Sequence, residues 1–486
     1  MSRRHGKAGC IRCFGILRFA ALAALATLMA PSTLARAADA DVAEGPRRTP
    51  TLRVESGKLV GEDLGSVRLY RGIPYAAPPV GDLRWSPPQP APSWRGTREA
   101  LAFGAMFPQV DRRSRTDQQG EDALLLNVWA PAGARRAPVL VWFHGGAFLQ
   151  NSGADPRADG RQLAERGVVV VTINYRLGAL GLFAHPQLTA AAGPTEPLGN
   201  YALLDMMQSL RWVRRNIENF GGDPRNVTIS GSSAGGTAIL YLLGIRAADS
   251  LYDKAIVQSS GGREGVLTLA QAEEAGERLA AALLPDGPAD LAGLRALPAA
   301  AFALGAERTR SLGQPVKPFV DGRLVTAPPS EIFAAGGQRR LPLMIGAANG
   351  ESGGTFGDEI AVRGGFGFQL QLAEAMARHG QSVWLFHFTF VPPERPRPAA
   401  HGEIVGYSFG NLGPSAGEPA RRMSAALIDY WLAFMRDGQP SSTAGPAWPA
   451  FEPAKRSVMV FGNAAIAVKA APASLPADEL RRQRRQ

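Results

Sequence analysis

Cysteine is almost missing from this chain of 486 residues: there are two, Cys10 and Cys13, both ahead of an N-terminal apolar run. If that segment is removed, the mature chain has neither a disulfide nor a thiol nucleophile. Histidine is nearly as scarce, with six residues, five of them beyond the first fifty positions. No His, Asp and Glu grouping has metal-ligand spacing, so neither a metal nor another cofactor is expected. After residue 30 there is also no apolar run of membrane-spanning length. Charge of one sign is lacking too, once the net +11 is located. Six basic residues and no acid lie before residue 38, and Arg481, Arg482, Arg484 and Arg485 lie at the other end. What remains is close to neutral, which excludes nucleic-acid binding as the main activity.

The N-terminus reads as a processing segment. Arg3, Arg4, Lys7 and Arg12 form a basic region, Phe14 to Ala30 is apolar apart from Arg18, and Ala35-Arg36-Ala37 offers an A-x-A cleavage site. Its uninterrupted part, Phe19 to Ala30, is too short for a membrane anchor. The expectation is a signal peptide over 1–37, export to the periplasm or medium, and no stable membrane insertion afterwards. Ser2-Arg3-Arg4 hints at a twin-arginine signal, but Gly6 and Ala8 do not continue that pattern. Residues 471–486 read as a solvated, disordered, arginine-rich tail.

Between these ends, 38–470 reads as a single domain. Apolar runs bounded by turn residues predict strands at Leu124–Ala130, Val139–Phe143, Val168–Asn174, Val227–Ser230, Ala255–Gln258, Leu343–Ala347 and Val383–Phe390. Several are continuous rather than alternating, as strands covered on both faces must be. Helical periodicity marks Tyr201–Phe220, Leu269–Leu284, Phe368–His379 and Arg421–Arg436. The glycines of 364–367 and the prolines of 392–398 read as loops. Strands alternating with helices predict an α/β class with a mostly parallel sheet.

Three segments match G-x-S-x-G, a pattern that 56 glycines make easy to meet by chance; they centre on Ser233, Ser352 and Ser415. A nucleophile elbow needs a buried strand leading in and a helix leading out. Ser233 has Val227-Thr228-Ile229-Ser230 before it and Gly236-Thr237-Ala238-Ile239-Leu240 after it. Ser352 is followed by Gly353, Gly354 and Gly357, a poor helix, and Ser415 has Pro414 beside it and no strand before it. Context selects Ser233. Upstream, Val139–Phe143 runs into His144-Gly145-Gly146-Ala147-Phe148, where the N–H groups of Gly145 and Gly146, with that of Ala234, can form an oxyanion hole.

A serine nucleophile needs a histidine base. His144 belongs to the oxyanion segment, His387 lies in a strand as a core residue, His379 ends a helix as a cap, and His185 sits in a Phe-Ala-His-Pro turn. His401, in a late loop, suits the order nucleophile, acid, histidine of the α/β-hydrolase fold. The acid must follow a strand between them. Glu351, after Leu343–Ala347, fits; Asp358 and Glu359 are alternatives. Its role is to orient the imidazole and stabilise its charged form.

With these residues in place the chain resembles the type-B carboxylesterases, the family of bacterial para-nitrobenzyl esterases and animal cholinesterases. The resemblance rests on Arg71-Gly72-Ile73-Pro74-Tyr75-Ala76 with Trp85, on Glu121 to Trp129, on Asn216 to Gly236, on Val320-Asp321-Gly322 with Gly346 to Glu351, and on His401-Gly402 with Phe409. It implies a serine hydrolase acting on small-molecule carboxylic esters without a cofactor, with Ser233, Glu351 and His401 as its triad. Cholinesterase-like domains also serve as silent binding modules, the alternative function, but those usually lack a triad member. Three departures stand out. Phe107 and Ala123 occupy positions where the family has a disulfide. Ser232 precedes the nucleophile where Glu is usual, removing a carboxylate that would raise the histidine pKa. The segment from Glu351 to His401 is short, which predicts a wide, shallow cleft rather than a gorge.

Overall fold

The computed structural model describes residues 47–110, 115–261, 266–351 and 364–472. The expected leader, the arginine cluster of the tail, Ser352, Asp358 and Glu359 lie outside them. Among the described residues no helix is long and apolar enough to cross a membrane, and no group of three or more potential ligands could hold a metal ion.

Eleven strands form the main sheet: β1 Glu62–Asp63, β2 Val67–Pro74, β3 Leu125–Pro131, β4 Ala137–Phe143, β5 Val169–Ile173, β6 Gly222–Ser232, β7 Lys254–Gln258, β8 Leu343–Ala348, β9 Val383–Phe388, β10 Ser457–Phe461 and β11 Ile466–Ala470. Their spatial order follows the chain except for one exchange, β1-β2-β3-β5-β4-β6-β7-β8-β9-β10-β11. From β5 to β10 all neighbours are parallel, and antiparallel pairs occur only toward the two edges. This is the mostly parallel sheet expected from the continuous apolar runs. A small separate sheet joins Leu52–Val54, Gly57–Val60 and Thr97–Glu99.

The packing explains why those runs do not alternate. Val139, Val141 and Phe143 of β4 enter one core, while Leu140 and Trp142 enter the other. The first core packs against α1 (Tyr201–Asn216), α2 (Ala234–Leu242), α3 (Leu269–Leu283) and α4 (Gly364–Arg378). The second packs against α5 (Glu418–Asp437), which contributes Leu427, Tyr430, Trp431 and Phe434. A strand sandwiched in this way has no polar face to show. Phe107 and Ala123 are both buried in the first core, so apolar packing stands where the resemblance expects a disulfide.

Several boundaries differ from the sequence reading: the strand expected over Val227–Ser230 begins at Gly222, the helix expected over Arg421–Arg436 begins at Glu418, and the strand expected over Val383–Phe390 ends at Phe388. The helix expected over Tyr201–Phe220 ends as an α-helix at Asn216, and Ile217–Phe220 tighten into a 3-10 turn closed by Gly221 at φ 83°, a common way to satisfy terminal carbonyls. The glycines of 364–367, read as a loop, are instead the first turn of α4. Glycine costs a helix about 1 kcal/mol per residue. Here Phe366 and Phe368 are buried, and the Phe366 ring lies 4.4 Å from that of His387 on β9; tertiary docking overrides local preference. The prolines of 392–398 have no helix or strand, as expected.

α1 is pinned to the end of β5 by a buried ion pair. Arg176 places Nε and Nη2 2.9 and 2.7 Å from the Asp205 carboxylate, its backbone N–H donates to the same group at 3.0 Å, and both side chains are almost completely buried. Removing one partner strands an uncompensated charge. Asp205→Ala should therefore lower unfolding stability by about 3–5 kcal/mol in urea titrations. Arg136→Ala, which breaks the exposed pair with Asp223, should cost about 1 kcal/mol or less.

Candidate active site

β6 delivers Ser233 at its carboxyl end and α2 begins at the next residue. Ser233 has φ 56° and ψ −119°, a region that costs a non-glycine residue about 1–3 kcal/mol. The turn is held on both sides: Ser233 N–H donates to Gln258 O at the end of β7 (2.9 Å), and Ser233 O accepts from Thr237 N–H (2.8 Å). Both flanking glycines are required by close approach. A Cβ on Gly231 would lie 2.5 Å from the Gly235 carbonyl carbon, and one on Gly235 would lie 2.0 Å from Phe143 O. Ser415, by contrast, is exposed in a turn with no strand before it.

The segment after β4 approaches this turn closely enough that a Cβ on Gly145 would meet Ser232 O at 2.8 Å and Ser233 Cβ at 3.1 Å. Gly146, Ala147 and Phe148 follow with φ of 116°, 55° and 59°. Several bonds set this unusual backbone: Tyr175 Oη donates to His144 O (2.7 Å), Gly178 N–H to Phe148 O (2.6 Å), and Leu149 N–H to Gly146 O (2.9 Å). Among the described residues, no hydrogen-bond acceptor takes the N–H of Gly145, Gly146 or Ala147. Ala234, the third expected donor, begins α2, where first-turn N–H groups lack intrahelical partners.

β8 and β9 bring in the other two residues. Glu351 follows β8 by three positions, and its Oε1 lies 3.4 Å from His401 Nδ1 while accepting from Ala348 N–H at 3.3 Å. The two loops are clamped together: Gly350 N–H donates to Ala399 O (2.9 Å) and Ala399 N–H to Asn349 Oδ1 (3.0 Å). A Cβ on Gly350 would sit 2.4 Å from Ala399 O, so glycine is needed for that approach. The Glu351 side chain is buried (7% exposed), whereas that of His401 is 52% exposed. The hydrogen bond that His401 donates to Glu351, with the carboxylate's charge, outweighs partial burial and raises the His401 pKa above its ordinary 6.5.

The remaining histidines are occupied elsewhere. Burial pushes His144 down to about 4, despite a bond to Gly145 O that favours the cation, and its ring stacks on Tyr175 at 4.3 Å. His185 caps the helix Pro186–Ala191 by accepting from Gln187 N–H. His387 is buried on β9. His379, expected to cap its own helix, bonds through Nε2 to Ala334 O at the end of Pro329–Ala334; the cap serves a neighbouring helix that only tertiary contact brings near.

Ser233, His401, Gly145 and Gly146 line one cavity of about 330 Å³. Ser232 is there too, its buried Oγ without a hydrogen-bond partner among the described residues. Sequence reasoning missed Gln150, Asn151, Asp155 and Arg157, which supply further polar side chains to the wall. Asn151 has φ 84°, and no local sequence signal marked any of them. Asp155 illustrates the balance in this wall: burial raises its pKa, but bonds from Arg157 and Asn151 prevail and hold it below the ordinary carboxylate range.

With this geometry in place, comparison with known proteins is direct. The model of the carboxylesterase family matches residues 48–361 and 368–475. A fumonisin B1 esterase from Sphingopyxis macrogoltabida is 34% identical over 468 residues, covering 84% of this chain and 86% of the relative. A para-nitrobenzyl esterase from Bacillus subtilis (strain 168) is 30% identical over 465 residues, covering 84% and 94%. A solved PNB esterase structure superposes with TM-score 0.77 at 29% identity, over 89% of this chain and 99% of that one. The sheet is therefore that of the α/β-hydrolase fold.

The Glu351–His401 contact predicts a titration that can be read without substrate. In NMR spectra the His401 imidazole should titrate above 6.5. Glu351→Gln removes the interactions that favour the cation and should shift the midpoint down. Ser232→Glu adds a carboxylate near Gly402, whose Cβ position is 4.0 Å from Ser232 Oγ, and should shift it further up. A midpoint insensitive to Glu351→Gln would mean that the pair does not form in solution.

Proposed function

The chain belongs to the carboxylesterase family and is a carboxylic ester hydrolase, and from that premise we propose that Ser233, His401 and Glu351 carry the reaction through an acyl-enzyme. The observation that carries this reading is the shared cavity: a strained serine, a carboxylate-paired histidine and unpaired backbone N–H groups all reach it. In the first half-reaction Ser233 Oγ attacks the ester carbonyl carbon while His401 takes the hydroxyl proton. The carbonyl oxygen becomes an oxyanion facing the N–H groups of Gly145, Gly146 and Ala234, with Ala147 adjoining. Collapse expels the alcohol, which leaves with the proton from His401. Water then attacks the acyl-enzyme, His401 acting again as base, and the carboxylic acid departs.

Glu351 holds the imidazole with Nδ1 toward itself, leaving Nε2 for the serine. Fixed dipoles need no reorganisation as charge develops, and losing one such donor costs about 3–4 kcal/mol of transition-state stabilisation in comparable sites. A catalytically silent binding module is the rival reading; the presence of all three triad members weighs against it. We also place the enzyme outside the cytoplasm, on the strength of the basic region, apolar run and Ala35-Arg36-Ala37 site at the N-terminus.

Two measurements test the assignment. Ser233→Ala should reduce ester hydrolysis by about 10⁴-fold or more, and a fluorophosphonate label should map to Ser233, while Ser415→Ala and Ser352→Ala keep most activity. Labelling at Ser352 would falsify the choice of nucleophile. The half-exposed His401 and the short approach to it lead to a second expectation. Weak ground-state grip with intact chemistry gives a high KM with substantial kcat, and tolerance of bulky aryl esters. Low KM with strict selectivity for small esters would contradict the open cleft.

A further inference from the structure

A second recess of about 330 Å³ adjoins the catalytic cavity and shares two wall residues with it, Arg157 and His401. Its wall carries two further guanidiniums, those of Arg395 and Arg397. These three arginines come from segments more than two hundred residues apart in sequence. Among the described residues, two carboxylates, Asp155 and Glu403, pair with these three guanidiniums. Arg157 spends Nε and Nη2 on Asp155, leaving Nη1 without an acceptor among the described residues. Arg395 and Arg397 share one carboxylate, Glu403, at 3.1 and 3.0 Å. Glu403 is further engaged by Ala400 N–H. Beyond the wall, Glu394 bonds Gly417 N–H and has Arg421 as well as Arg395 near it, so the excess of one positive charge persists when that pair is included.

The arginines are between 43% and 56% exposed. They can be reached from solvent, yet each is anchored at one edge by a carboxylate. A guanidinium held at one edge presents the other as a planar donor, the geometry that matches a carboxylate. No such need arises for a plain alkyl ester.

We infer that this recess is a carboxylate subsite, and that the enzyme acts on esters bearing a second, ionised carboxylate, which Arg157, Arg395 and Arg397 hold while the scissile carbonyl lies at Ser233. The inference rests on the esterase reading above. The chemistry at Ser233 is unchanged by it. The free carboxylate belongs to the acyl part, as in a monoester of a dicarboxylic acid, or to the alcohol part, as in an acylated hydroxy acid, and the two are separable by substrate design.

The experiment compares two matched pairs on the full-length enzyme: monomethyl glutarate against methyl 4-carbamoylbutanoate, and 4-acetoxybenzoate against 4-acetoxybenzamide. In one pair kcat/KM should favour the anionic member about tenfold or more, and the advantage should shrink in about 0.5 M NaCl. Arg157→Gln, and separately the double variant Arg395→Gln/Arg397→Gln, should bring that ratio close to unity. The pair that responds shows which side of the ester carries the carboxylate. Because Arg157→Gln leaves the buried Asp155 unpaired, the double variant keeps the test decisive if that protein folds poorly. Calorimetry of glutarate with the Ser233→Ala protein supplies a readout independent of turnover, with affinity expected to fall about tenfold in the double variant. No anionic preference in either pair, or a preference that survives both variants, overturns the subsite while leaving the esterase reading intact. Conversely, if Ser233→Ala retained hydrolysis, the triad reading would fail and the glutarate titration would still judge the subsite.

Discussion

The left-handed backbone of Ser233 is the constraint on which the rest of the site depends. It lifts the side chain off the end of β6 into the cavity, and it is tolerable only because its surroundings determine it. Gly231 and Gly235 must lack side chains so that the elbow can fold against itself and against Phe143 O. Phe143 ends β4, so the same close contact sets where the oxyanion segment starts. Gln258 at the end of β7 accepts the Ser233 N–H. Three adjacent parallel strands thus converge on one residue, and a shift in the register of any of them would misplace it. Catalytic chemistry collects at the carboxyl ends of such strands because that is where their loops meet.

The other half of the site is built with looser tolerances. Glu351 is buried and His401 is half-exposed, and around their 3.4 Å contact the two loops are tied together by the Gly350 backbone and the Asn349 side chain, both bonded to Ala399. Enclosure and charge pull the imidazole in opposite directions here, and the hydrogen bond to Glu351 is the stronger effect. His144, which has no carboxylate bonded to it, shows the reverse outcome: burial prevails and the ring stays neutral. Two histidines are thereby shifted in opposite directions by their environments alone.

Where the chain departs from its family, the structure supplies a physical substitute in one case and leaves an opening in another. Phe107 and Ala123 fill core volume where a covalent link is usual, and a packed aromatic ring contributes through burial what a disulfide contributes through the unfolded state. Ser232 places a small hydroxyl, without a hydrogen-bond partner among the described residues, in the cavity that His401 also lines. Its size leaves space and its neutrality leaves Glu351 as the carboxylate paired with His401.

Much of this was legible in the chain itself. The continuous apolar runs at Val139–Phe143 and Leu343–Ala347 could be satisfied only by a sheet covered on both faces, and the strand expected before Ser233 and the helix expected after it are both present. Those signals are short-range: hydrophobic spacing, turn residues and small residues in a row act within about ten positions. By itself, then, the sequence determined the fold class and the order of its strands along the chain, and it singled out Ser233, Glu351 and His401 as the candidates for nucleophile, acid and base. The tertiary structure decided the rest. It drew the glycines of 364–367 into a helix because Phe366 found the ring of His387, and it turned His379 toward the end of another helix. It also brought Arg157 to face Arg395 and Arg397 beside His401. Each of these depends on which distant residues become neighbours, and that information lies in packing across the sheet, which no local pattern encodes.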